Sequence, residues 1–213
     1  TCFAISDKVV LTAKHNLLDD YKTIKIFTSS DNFSTLNFIE ADVIVFNEDM
    51  DVAILSVKDS IFTDFIDLNV VSVSMETQVL SCGYPVEKKY YDAPMKLKVT
   101  NTFENIKNRE YSFEVSQDDT VSAYKGMSGA PIIYNKECIG VMLVQQAQNT
   151  LYAMSIKDII KDELILNKLT ESMVVINKVE GFDYKPPPCP EFSPFKYCIN
   201  CNDGEPNIKG IDI

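Results

Sequence analysis

Three residues of this chain have types and an order that together can cleave an acyl bond: His15, Asp51 and Ser128. The histidine is the only one in 213 residues, so any chemistry that needs an imidazole must use it. It closes the run Leu11-Thr12-Ala13-Lys14-His15, and the aspartate opens Asp51-Val52-Ala53-Ile54-Leu55. The serine lies in Gly126-Met127-Ser128-Gly129-Ala130-Pro131, with glycines around it and a strand after it. A serine hydroxyl is a poor nucleophile until a base takes its proton. Neutral imidazole can do so near neutral pH, and a carboxylate behind the ring fixes the tautomer and stabilises the imidazolium that forms. Gly126 allows a backbone twist that aims its own N–H and that of Ser128 at one point, an oxyanion hole, and Gly129 leaves space beside the nucleophile. Each motif alone has a plainer reading: a core or turn histidine, a strand-start aspartate, a common tight turn. Asp42, Glu48 and Asp49 also compete with Asp51 for its role. The order, the flanking strands and the separations of 36 and 77 residues give the set its weight.

These residues must be positioned by strands. Short apolar or alternating runs recur about every ten residues, an all-β pattern. Residues 1–6 and 8–12 read as a hairpin turned at Ser6-Asp7-Lys8, followed by strands at 23–28, 36–46 and 51–57. After a variable stretch, 58–72, come 73–82, 95–102, 110–115, 130–134, 138–144 and 150–154. Each set has enough strands for a small barrel, so two barrels in series are expected, one at about 1–57 and one at about 73–155. A helix is expected over 156–167, with Ser155 as N-cap, Asp158 three residues on, and Ile156, Ile159, Ile160, Leu164 and Leu166 as its apolar stripe. Residues 168–188 read as a connector ending in Pro186-Pro187-Pro188, and 189–213 as a Cys-bearing tail.

With these residues in view, the chain resembles a trypsin-like, chymotrypsin-fold serine protease domain. Thr12-Ala13-Lys14-His15 is similar to that family's TAAH block, Asp51-Val52-Ala53-Ile54-Leu55 to its DIALL block, and Gly126 to Pro131 to its GDSGGP block. The chain order His, Asp, Ser is also the family's. Cys82-Gly83-Tyr84-Pro85 and Tyr152-Ala153-Met154-Ser155 are softer matches, and the likeness runs over about 1–167. It implies two six-stranded barrels with the triad between them and a C-terminal helix. It also implies His15 as base, Asp51 as its orienting acid, Ser128 as nucleophile, and the N–H groups of Gly126 and Ser128 as the oxyanion hole. Met127 stands where animal members activated from a precursor carry an Asp, and Asn16 follows the histidine where many carry a Cys. Both departures, and the lack of matching Cys pairs, resemble the bacterial and intracellular branches. The family's pocket floor lies six residues before the nucleophile, which is Ser122 here, with Leu143, Val144 and Gln145 expected on the opposite wall. An uncharged floor predicts no trypsin-like preference for Arg or Lys.

Composition bounds the alternatives. The net charge is −11, from 20 Lys and Arg against 31 Asp and Glu, which disfavours binding to nucleic-acid phosphates. No run approaches the ~18 apolar residues of a membrane span. Cys2, Cys82 and Cys138 are singletons in apolar stretches, pointing to a reducing, cytoplasmic setting. Cys189, Cys198 and Cys201 offer three zinc ligands and no histidine, so no metal site and no cofactor is assigned. The expected partner is a protein or peptide substrate. The linker, the Cys tail and the abrupt start point to further domains of a longer chain. Two rival readings stay open: a peptide-binding or regulatory domain of this fold, and an effector domain silent until a sensor domain releases it.

Overall fold

The computed structural model describes residues 1–17, 23–27, 38–85, 93–103, 111–117, 124–147 and 150–178, with the side chains of 93, 117 and 145–147 excepted. The elements are β1 (Cys2–Ala4), β2 (Val9–Ala13), a 3-10 turn (Lys14–Asn16), β3 (Ile24–Ile26), β4 (Ile39–Asn47), β5 (Val52–Val57), β6 (Leu68–Val70) and β7 (Gln78–Gly83). They continue with β8 (Ala93–Thr102), β9 (Phe113–Gln117), β10 (Pro131–Tyr134), β11 (Glu137–Ala147), β12 (Thr150–Ser155), α1 (Ile156–Ile159), α2 (Glu163–Glu171) and β13 (Ile176–Lys178).

The first half forms a curled five-stranded sheet in the order β1-β2-β5-β4-β3. In the second half, β10-β7-β8-β9-β12-β11 closes on itself through the β10–β11 pairing, a six-stranded barrel. Among the described residues, then, the first unit has five strands in an open sheet where six were expected. The barrel's sheet also runs on into β6 and β13, which pair in parallel and join it at β11.

The two most apolar strands explain how the halves meet. β2 is VVLTA and β5 is VAILSV, nearly unbroken apolar runs, which suits strands covered on both faces. Val10, Ala53 and Leu55 face the interior of the curled sheet with Ile26 and Phe62. Val9, Leu11, Val52 and Ile54 face the other way, against Val141, Leu143 and Met154 of the barrel and Ile156, Ile159, Ile165 and Leu169 of the helices. A third cluster, with Leu97, Val99, Phe113, Val115, Ile132 and Leu151, fills the barrel. Burying a Leu, Ile or Val side chain contributes about 1.5–3 kcal/mol, so this shared apolar layer holds the two halves together.

The expected single helix over 156–167 is two helices. Ser155 caps the first as expected, its Oγ accepting from the Asp158 N–H at 3.0 Å. Asp162 then starts a new helix by accepting from the N–H groups of Leu164 and Ile165 at 2.8 and 3.1 Å. The restart changes which residues face inward: Ile165 and Leu169 are buried, whereas Leu164 is 70% exposed. Among the described residues, no helix is long and apolar enough to cross a membrane.

Candidate active site

Antiparallel register brings His15 and Asp51 together. β2 pairs with β5 so that Ala13 stands opposite Val52, at the last residue of one strand and the first of the other. The next step outward sets Lys14 against Asp51, and the Lys14 N–H donates to the Asp51 carbonyl at 2.9 Å. His15, the middle residue of the 3-10 turn, then lies against the Asp51 side chain. The carboxylate accepts twice: from the His15 backbone N–H at Oδ1, 2.8 Å, and from His15 Nδ1 at Oδ2, 2.5 Å. Asp51 holds a left-handed backbone, φ 53°, which short polar residues tolerate best, and its N–H closes a turn on the Glu48 carbonyl at 3.1 Å. The competing acid Glu48 instead pairs with Lys14 at 3.1 Å. Among the acids weighed from sequence, Asp51 is the one bonded to the ring.

The serine loop enters from the barrel. Gly126 and Gly129 both have left-handed φ, 99° and 87°, a conformation that side chains resist. At Gly129 a Cβ would lie 2.1 Å from the Thr1 carbonyl oxygen and 2.6 Å from Thr12 Oγ1, so the first sheet presses directly on the loop. The loop's backbone bonds are nearly all satisfied. The Met127 N–H donates to the Tyr124 carbonyl, the Gly129 N–H to the Met142 carbonyl and the Ala130 N–H to the Met127 carbonyl, at 2.7–2.8 Å. The Gly126 carbonyl accepts from the Thr1 nitrogen at 3.2 Å and from Thr1 Oγ1, and the Ser128 carbonyl accepts from Asn16 Nδ2 at 2.9 Å. Two donors are left over: the N–H groups of Gly126 and Ser128 carry no hydrogen bond among the described residues. They are the two donors that the sequence assigned to an oxyanion hole. Ser128 itself is half-buried, and no hydrogen bond joins its hydroxyl to His15 among the described residues.

The specificity residues fare differently. Ser122 lies outside the described residues, as does the side chain of Gln145. Leu143 is 3% exposed and packs with Val141 and Met154 in the layer between the halves. The β11–β12 register skips Leu143 at a bulge between Met142 and Val144, so simple alternation does not sort these two residues onto faces. Val144, 46% exposed, is the one open to a ligand. Tyr124 is buried at the base of the loop, and Lys125 beside it is exposed. Sequence reasoning missed Thr1, Thr12 and Asn16. The available signal was a threonine inside the apolar run of β2 and an amide next to the only histidine. The Cys tail lies outside the described residues.

The profile of the trypsin-like peptidase domain family matches residues 1–141. The chain belongs to that family, and its barrel and curled sheet form a chymotrypsin-like fold. No curated protein matches the chain. Among solved structures it is similar to the Rv3671c protease from M. tuberculosis in its active form, with a TM-score of 0.59 and 17% identity over 75% of this chain and 70% of that one. The inactive form of the same protease gives a TM-score of 0.57 and 18% identity over 80% and 81% of the two chains. A serine-to-alanine mutant of it, also inactive in form, gives 0.58 and 17% over 82% of each. At such identity the likeness is one of fold.

Proposed function

We propose that the chain is a serine endopeptidase whose triad is His15, Asp51 and Ser128. The observation that carries this reading is the pairing of a carboxylate-anchored imidazole with a serine loop in which the N–H groups of Gly126 and Ser128 carry no hydrogen bond among the described residues. His15 Nε2 takes the hydroxyl proton as Ser128 Oγ attacks the scissile carbonyl carbon. The oxygen that gains negative charge is met by the N–H groups of Gly126 and Ser128. His15, now an imidazolium stabilised by Asp51, gives its proton to the leaving amine as the C–N bond breaks. Water, deprotonated by His15, then hydrolyses the acyl-enzyme and frees Ser128. Every proton move is assigned to a group of the chain itself. The open contact between Ser128 and His15 suits a resting enzyme, because such bonds often tighten only when substrate binds.

The side chain before the cut is small or medium and uncharged. A Ser122 floor offers a hydroxyl but no charge to offset burial of a guanidinium or ammonium. A positional peptide library, read by mass spectrometry with Ser128→Ala as control, tests both points. Cleavage that depends on Ser128 and follows uncharged residues supports the reading. A dominant preference for Arg or Lys overturns the pocket assignment, and cleavage that persists in Ser128→Ala overturns the triad.

The same unmade Ser128–His15 bond favours one second reading, a regulatory domain held short of its reactive geometry until a partner engages it. A chain that cleaves the library unaided excludes it.

A further inference from the structure

We propose that Asn16 is a positioning residue that bolts the Ser128 peptide to the turn carrying His15; this rests on the hydrolase reading above. Asn16 is 8% exposed, and its Nδ2 faces three acceptors: the Ser128 carbonyl at 2.9 Å, Thr12 Oγ1 at 3.0 Å and the Thr1 carbonyl at 3.3 Å. Two of these are carbonyl oxygens, which only accept, so the amide nitrogen and not the amide oxygen must point at them. The Thr12 hydroxyl spends its own hydrogen on the Thr1 carbonyl at 2.8 Å and therefore accepts from Asn16. Inside the first sheet Thr12 and Asn16 thus share the Thr1 carbonyl, and one Asn16 N–H crosses to Ser128, beside the Thr1 bonds to Gly126.

That crossing bond has a partner on the opposite side. The peptide between Ser128 and Gly129 is held at its oxygen by Asn16 and at its nitrogen by the Met142 carbonyl, 2.7 Å away on β11. One plane is therefore pinned from both halves of the fold. Asn16 also lies one residue beyond His15 in the same 3-10 turn. Asn16 is therefore the shortest hydrogen-bonded link between the turn of the base and the peptide of the nucleophile, added to the Thr1 bonds on Gly126. Without the amide, the Ser128 carbonyl loses its bond to the first sheet; the peptide keeps its β11 anchor and the loop its Thr1 bonds at Gly126, but Ser128 is no longer tied to the turn that carries His15. A misplacement of about 1 Å costs on the order of a hundredfold in rate. Substrate side chains bind elsewhere, so binding of an uncleaved peptide should not suffer.

The test compares Asn16→Ala and the isosteric Asn16→Asp with the parent chain. Two ligands are titrated: a peptide aldehyde, whose carbonyl bonds to Ser128 and places its oxygen at the oxyanion hole, and the matching product acid, which binds without a covalent bond. Positioning predicts kcat lower by roughly ten- to a hundredfold with KM within about threefold, and an aldehyde that weakens by a similar factor while the product acid does not. Asp keeps the shape of Asn, removes the donor and sets a carboxylate against the same acceptors, so it should lose at least as much as Ala. Variants that match the parent overturn the proposal. So do variants that weaken both ligands alike, or fail to fold in both forms, since these mark Asn16 as structural. A parent that neither cleaves nor prefers the aldehyde overturns the hydrolase reading as well, which distinguishes the two failures.

Discussion

Replacing Gly129 by alanine should damage the fold and the site together, and the structure sets the scale. The residue has φ 87°, where an L side chain is strained by about 1–2 kcal/mol. The added Cβ would also lie 2.1 Å from the Thr1 carbonyl oxygen and 3.0 Å from the Ala13 nitrogen, both backbone atoms that cannot rotate away. Overpacking of that kind costs a further 1–3 kcal/mol or so. A total of about 2–5 kcal/mol is a large share of the roughly 5–15 kcal/mol that holds a domain folded. At about 2–4 °C per kcal/mol for a chain of this length, the melting midpoint should fall by roughly 4–20 °C. Gly83→Ala is the internal control. Its Cβ would meet Met127 Sδ and Cε at 2.7 and 2.8 Å, the far end of a flexible though buried side chain, and Ala130 Cβ at 3.2 Å, with no backbone atom among its nearest contacts. Thermal unfolding followed by circular dichroism suits a protein without tryptophan. Gly129→Ala within about 2 °C of the parent, or milder than Gly83→Ala, would refute the claim that the first sheet presses on the serine loop.

Three further outcomes are expected. His15→Ala, Asp51→Ala and Ser128→Ala should each remove most hydrolysis while leaving circular dichroism unchanged, with double variants little worse than the most severe single one; retained activity in Asp51→Asn alongside loss in Asp49→Asn would reassign the acid. Burial pushes the Cys138 thiol from 9.0 up to about 12, against the pull of bonds to the Gly140 and Ile132 backbone, so the folded chain stays protonated where the unfolded one ionises. Its contribution to stability should be whole below pH 9 and be lost as pH rises from 9 to about 12, and denaturant titrations of Cys138→Ala should lack that slope. Burial alone would raise the Asp158 carboxyl, but bonds from Lys161, Ser112 and Ser155 outweigh it and hold it below the ordinary carboxylate value. That stabilisation is present above the ordinary value and lost as pH falls through the lowered one, so Asp158→Asn should flatten the acid limb of stability measured from pH 7 to pH 3.

How much the sequence revealed depended on where each residue's partner lies. β2 and β5 were readable because strands covered on both faces are apolar throughout, and their register then carries His15 to Asp51 without further information. β6 was hidden in the stretch taken as variable: Leu68-Asn69-Val70 is too short to show a period, and its partners are Cys138 and Ile176–Lys178, far along the chain. β13 escaped for the same reason. The helix break was coded by Asp162, yet an aspartate that caps a helix looks like a surface residue until the N–H groups it accepts are known. The burial of Leu143 was not legible because it sits at a bulge between Met142 and Val144, which a sequence pattern does not show. Asn16 was noticed only as the absence of a cysteine; its bond to Ser128 spans 112 positions and leaves no local trace.

The central claim is that Ser128 is a nucleophile activated by His15. A fluorophosphonate probe forms a bond to such an oxygen and not to an ordinary serine hydroxyl. Incubating the full chain with the probe and mapping the adduct by peptide mass spectrometry tests this directly. The account predicts one modified site, Ser128, with labelling abolished in Ser128→Ala and strongly slowed in His15→Ala. A chain that stays unlabelled, an adduct on another residue, or labelling indifferent to His15 would contradict it.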